Sequence, residues 1–89
     1  MVLLIGYDLN KPIQNYTGLF EAIKSYGLWW HGLDSTWFIE TNSSPAEVFR
    51  HLSSYIDSND SLIIIQVARN WWASGFSQEA YDWLKQRTF

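Results

Sequence analysis

Leu28-Trp29-Trp30-His31-Gly32-Leu33-Asp34-Ser35-Thr36-Trp37-Phe38-Ile39-Glu40-Thr41 is the stretch that decides the fold. Leu28 to Leu33 is short, aromatic and flanked by glycines. Thr36 to Thr41 alternates, with Trp37 and Ile39 on one face and Thr36, Phe38 and Glu40 on the other. The pattern predicts two hairpin strands joined near Gly32-Leu33-Asp34. Outward on both sides the period becomes helical. Tyr16, Leu19, Phe20, Ile23 and Tyr26 predict one helix, capped by Asn15 or Thr17 and closed by Gly27 in the left-handed conformation. Ser44, Pro45 and Glu47 form a capping box that opens a second helix, with Val48, Phe49, Leu52, Tyr55 and Ile56 as its apolar stripe.

Further out lie two apolar runs. Val2 to Tyr7, ended by Asp8, and Ser61 to Val67 both predict strands buried on two faces. Ala68 to Phe76 reads as a loop, and Ser77 caps a last short helix reaching about Arg87, with Ala80, Tyr81 and Leu84 inward. The order is strand, helix, strand, strand, helix, strand and an extra helix. Two right-handed crossovers around a central hairpin predict an α+β class, ferredoxin-like βαββαβ sandwich with an extra C-terminal helix, one domain over residues 1–89. Two helices cover one sheet face. The other face needs the C-terminal segment or a partner.

Composition narrows the function. The 89 residues include six Lys or Arg and nine Asp or Glu, for a net charge of −3, and 18% are aromatic. Such a chain is not a disordered tail. No apolar run approaches the roughly 20 residues of a membrane span, so no membrane association is expected. The start carries no basic region or small-residue cleavage site, which predicts a cytoplasmic protein. The absence of cysteine excludes disulfides and thiolate chemistry. Six Trp residues exceed what so small a core can enclose, which predicts a homodimer that covers the surplus. Phe38 and the segment holding Trp71, Trp72 and Phe76 are the expected interface. The acidic balance predicts that nucleic-acid binding, if any, is weak and salt-dependent.

Several side chains invite a chemical reading. Asp8, ending a strand, offers oxygen to a hard cation such as Mg²⁺, or closes a turn on the backbone of 9–12. His31 and Asp34 offer an acid–base pair, or are an edge-strand His and a turn Asp. His51 falls on the polar side of its helix. Arg69 beside Trp71 is a basic–aromatic pair able to grip phosphate or to stack on a neighbouring ring. Glycine-rich phosphate loops, nucleophile elbows and paired metal-binding histidines are missing. Asp57 and Asp60 flank a turn without a third ligand.

The segments Ile5-Gly6-Tyr7-Asp8-Leu9-Asn10-Lys11-Pro12, Trp29-Trp30-His31, Leu33-Asp34-Ser35-Thr36-Trp37, Asp57-Ser58-Asn59-Asp60 and Ser74-Gly75-Phe76 carry a resemblance. The chain resembles the SinR family branch of the small CRISPR-associated nuclease and adaptor proteins and the VapD-type toxins. The resemblance implies a ferredoxin-like homodimer with the strand-end aspartate, here Asp8, near the dimer axis. In nuclease members that aspartate helps hold a divalent metal and is the catalytic candidate. Ser35 matches the serine before the third strand, and Tyr7 precedes the aspartate. Relatives usually carry arginines just after it; here only Lys11 stands there. Lys11 and Arg69 are the candidates for nucleic-acid contact.

The reading is therefore a homodimeric scaffold or regulatory protein of a prokaryotic defence or toxin–antitoxin type system. It is noncatalytic, needs no cofactor and takes a protein partner. The alternative is a metal-dependent endonuclease acting on RNA or DNA, with Asp8 at the dimer axis and Mg²⁺ as its cofactor.

Overall fold

The computed structural model describes residues 1–10 and 16–89. The elements are β1 (Val2–Asp8), α1 (Thr17–Lys24), β2 (Leu28–Leu33), β3 (Thr36–Glu40), α2 (Pro45–Ser53), β4 (Ser61–Val67) and α3 (Gln78–Lys85). The strands form one sheet in the order β2-β3-β1-β4, and every neighbouring pair is antiparallel. Among the described residues the result is a small α+β fold of four strands and three helices. No helix among the described residues is long and apolar enough to cross a membrane.

Local chemistry explains the boundaries. Ser44 Oγ accepts from the Glu47 backbone N–H at 3.2 Å, and Glu47 Oε1 accepts from the Ser44 N–H at 3.0 Å. Two otherwise orphaned donors at the start of α2 are thereby satisfied. The helix stops at Ser53, earlier than its apolar stripe predicts. Ser53 and Ser54 hydroxyls donate back to the carbonyls of Arg50 and His51, competing with the next helical turn. Tyr55 and Ile56 therefore lie beyond α2, although Ile56 still packs against the core. Tyr16, not Thr17, stands at the N-cap position of α1, and its side chain makes no cap hydrogen bond. Asn15, the other expected cap, lies outside the described residues. Gly27 takes φ +87° as expected after the helix end, where a side chain would be strained. The hairpin turn falls at Asp34-Ser35, one residue later than predicted, because Leu33 still pairs with Thr36.

The core lies between the sheet and the pair α1 and α2. Leu3, Ile5, Trp37 and Ile39 meet Leu19, Ile23, Val48 and Leu52 there, and all eight are buried. The opposite face is covered over β2 and β3 by α3 and the segment before it. Trp30 stacks on Phe38 with 5.5 Å between ring centres, and Phe76 and Trp83 pack against Trp30 at 5.2 and 6.1 Å. The tail is tied down where Thr88 N–H donates to Glu40 Oε1 at 2.8 Å and Arg87 approaches the same carboxylate at 3.9 Å.

Beyond this cover the face is open, which corrects one expectation. β4 is not buried on two faces: Ile63 is 53% exposed and Ile65 is 45% exposed. β4 occupies a sheet edge, and α3 packs over the opposite half of the sheet. Only Leu62 and Ile64, on the alternate side, reach the core. β1 divides similarly, with Val2, Leu3 and Ile5 buried, Leu4 and Gly6 half-buried and Asp8 exposed.

Candidate functional site

The end of β1 brings several of the singled-out residues together. Asp8 pairs with Ser61, and the Tyr7 N–H donates to the Ser35 carbonyl at 3.1 Å, extending the β1–β3 ladder. Asp8, Ser35, Thr36 and Ser61 line a shallow depression of about 450 Å³ whose apolar wall is Leu4 and Ile63. Gly6 lets this wall close. A Cβ there would meet Ile63 Cγ2 at 3.3 Å. The depression offers one carboxylate and three hydroxyl groups. The Asp8 carboxylate accepts no hydrogen bond from a described residue, so the turn-closing alternative is not formed among them.

Tyr7 lies on the other side of β1, against the core. The Trp37 Nε1–H donates to the Tyr7 hydroxyl at 2.9 Å, and the hydroxyl donates to the Asp34 carbonyl at 3.2 Å. Burial pushes the Tyr7 hydroxyl above its ordinary value; the Trp37 N–H opposes this and the Asp34 charge adds to it. His31 stacks on Trp37 with ring centres 3.9 Å apart, and its Nε2 lies 3.0 Å from the same Asp34 carbonyl. His31 thus engages the backbone of Asp34 and not its carboxylate, so the acid–base pair gives way to a turn clasp. His51 is exposed on α2, as expected, with Nδ1 at 2.8 Å from the Tyr26 hydroxyl.

The nucleic-acid candidates do not join Asp8. Lys11 lies outside the described residues. Arg69 follows the far end of β4, where Val67 pairs with Val2 while Ser61 pairs with Asp8. Seven residues of strand put the two ends about 20 Å apart. Trp71, Trp72 and Phe76 lie at the Arg69 end. Phe38 and Phe76 are engaged within the chain by Trp30, whereas Trp72 is 99% exposed.

Asp60, expected only to flank a turn, ties the segments around the site together. Asp60 accepts from the Asn10 and Asp57 backbone N–H groups, each at 2.9 Å, and from the Tyr16 hydroxyl at 2.9 and 3.0 Å. It ties the exit of β1, the start of α1 and the turn before β4 into one clamp. Its signal in the sequence is only that of a turn Asp. Among the described residues no group of three His, Asp or Glu gathers at metal-binding distance. Asp8 of a single chain would give a cation one carboxylate, and Mg²⁺ takes one or two with water or phosphate oxygens completing an octahedron. The donor set fits a cation only when a second molecule completes it. No protein-family model matches the chain.

Proposed function

We propose that this chain acts as a homodimeric, noncatalytic scaffold on a ferredoxin-like sandwich with an extra C-terminal helix. The observation that carries the reading is β4. It is an edge strand of seven residues, Ser61 to Val67, without a charge, and it presents Ile63 and Ile65 to solvent. Edge strands usually carry charge, proline or a cover that blocks pairing; this one has neither charge nor proline, and no described strand pairs with its outer edge. With Leu4 of the neighbouring β1 it forms an apolar strip beside the α3 cover. A twofold-related copy covers such a strip with the same strip, since a twofold interface is self-complementary. Phe38, Trp71 and Phe76 stand at its margin. The resemblance to CRISPR-associated and VapD-type proteins supports a cytoplasmic prokaryotic defence or toxin–antitoxin setting with a further protein partner.

A second reading rests on a different observation, the exposed Asp8 carboxylate at the foot of the same strip. The resemblance implies a dimer axis near Asp8, where the repulsion of two copies would be relieved by protonation or by a divalent cation. This is the nuclease alternative, with metal-activated water as the attacking group. Sedimentation equilibrium and a cleavage assay separate the readings. The scaffold reading expects twice the 10.5 kDa chain mass at micromolar concentration. It also expects no Mg²⁺- or Mn²⁺-dependent cleavage of single-stranded RNA or duplex DNA. Cleavage by the wild type, lost in Asp8→Asn at unchanged melting temperature, establishes the nuclease instead.

A further inference from the structure

At the end of the molecule away from Asp8, residues 69–73 and α3 enclose a second depression, of about 460 Å³. It is lined by Arg69, Trp71, Trp72, Ala73, Tyr81 and Lys85. Its volume falls within the roughly 300–1,000 Å³ of small-molecule sites. Two cations and no carboxylate line it, in a chain where acidic residues outnumber basic ones nine to six. Among the described residues the one salt bridge joins Arg87 to Glu40, so neither Arg69 nor Lys85 forms a salt bridge with a described residue.

The groove is also built. Arg69 Nη2 donates to the Arg87 carbonyl at 2.8 Å, and the guanidinium lies 5.1 Å over the Phe89 ring. These contacts hold the fork while leaving most of its five N–H donors for another acceptor. The Tyr81 hydroxyl donates to the Ala73 carbonyl at 3.3 Å and joins the two walls. Trp72, at 99% exposure, has an indole with both faces open.

We propose that this depression binds a nucleoside phosphate. The base stacks on Trp72, and the phosphate sits between Arg69 and Lys85. A flat ring is what an exposed indole covers best, with no demand on base identity. A guanidinium fork matches two phosphate oxygens, and a nearby ammonium adds a movable point charge. The site is separate from the Asp8 depression and adjoins the dimer strip through Trp71. The same chemistry comes as a free mononucleotide or as a nucleotide within a single strand.

The test follows the tryptophan indole N–H signals of the ¹⁵N-labelled full chain by NMR. The probes are AMP, adenosine, ribose 5-phosphate, inorganic phosphate and a short oligoadenylate. AMP is expected to shift the Trp71 and Trp72 signals and leave that of buried Trp37 in place. Adenosine and ribose 5-phosphate, each lacking half of the ligand, bind more weakly than AMP. Trp72→Ala weakens AMP binding about tenfold, the scale of one lost base stack. Lys85→Gln weakens it less and flattens its salt dependence. Both variants alter exposed side chains, and circular dichroism checks their fold. Tighter binding of oligoadenylate at the same two indoles assigns the nucleotide to a strand; equal or weaker binding assigns it to the free form. The proposal is overturned if neither AMP nor oligoadenylate moves these signals, if inorganic phosphate reproduces the shifts, or if Trp72→Ala binds AMP unchanged. It is also overturned if protein concentration alone reproduces the Trp72 shift, since a second copy then occupies the groove.

Discussion

The two faces of the sheet solve the same problem differently. Beneath α1 and α2 the sheet contributes Leu3, Ile5, Trp37 and Ile39, each no more than 2% exposed, and aliphatic side chains of both helices close over them. On the other face one short helix and its leading segment build an aromatic cluster around Trp30 and leave Ile63 and Ile65 in water. The first face is what holds a small domain together. The second is only half finished by its own chain, and both candidate sites lie along its rim. On the proposed reading the first face supplies stability and the second recognition, and changes on each should have different consequences.

The largest expected effect sharpens this division directly. Ile5→Ala removes a fully buried side chain and should cost about 2–5 kcal/mol in chemical denaturation. Ile65→Ala on the other face should stay within about 0.5 kcal/mol in dilute protein, as exposed positions do. Equal losses at the two positions would break the comparison.

Tyr7 gives the next effect. Tyr7→Phe removes the acceptor for the Trp37 N–H, which is 2% exposed, and should cost about 1–3 kcal/mol. The Tyr7 hydroxyl is raised above its ordinary 10.0 by burial, so the folded state holds this proton more tightly than the unfolded chain does. That contribution is complete below pH 10 and is lost as the pH rises through the raised value. Alkaline denaturation should therefore be shallower in Tyr7→Phe than in the wild type.

How far the sequence reveals all this depends on the distance over which each feature is decided. The Ser44–Glu47 capping box, the helix-ending Gly27 and the limits of β4 are local and legible, because caps, turn glycines and apolar runs act within a few residues. The exposure of β4 is not legible. Ile63-Ile64-Ile65 reads the same whether both faces are covered or one, and the difference lies in where α3 packs. Asp60 shows the same limit. Its partners Asn10 and Tyr16 are more than forty residues away in the chain, so its role belongs to the fold. Of the candidate site, Asp8 and Ser35 are indeed brought into one depression, while Arg69 falls at the opposite end because β4 runs antiparallel to β1.

Smaller effects belong to the covered face's own supports. Ser44→Ala should cost about 1 kcal/mol by unmaking the α2 cap. The Ser44 backbone N–H, then its hydroxyl, hold the Glu47 carboxyl below its ordinary 4.5. A carboxyl lowered on folding stabilises the fold above pH 4.5, and this is lost as the pH falls through the lowered value. Glu47→Gln should accordingly flatten the acid limb of the stability profile slightly while leaving the neutral assembly state unchanged.

The central claim is that the half-covered face is completed by a second copy along β4. Its most direct test is light scattering on size-exclusion chromatography at micromolar concentration, comparing the wild type with the double variant Ile63→Lys and Ile65→Lys. The account predicts twice the 10.5 kDa chain mass for the wild type, consistent with the roughly 800 Å² per partner of a standard interface. It predicts a folded monomer for the variant, with unchanged circular dichroism. A monomeric wild type, or a variant that remains dimeric, would contradict it.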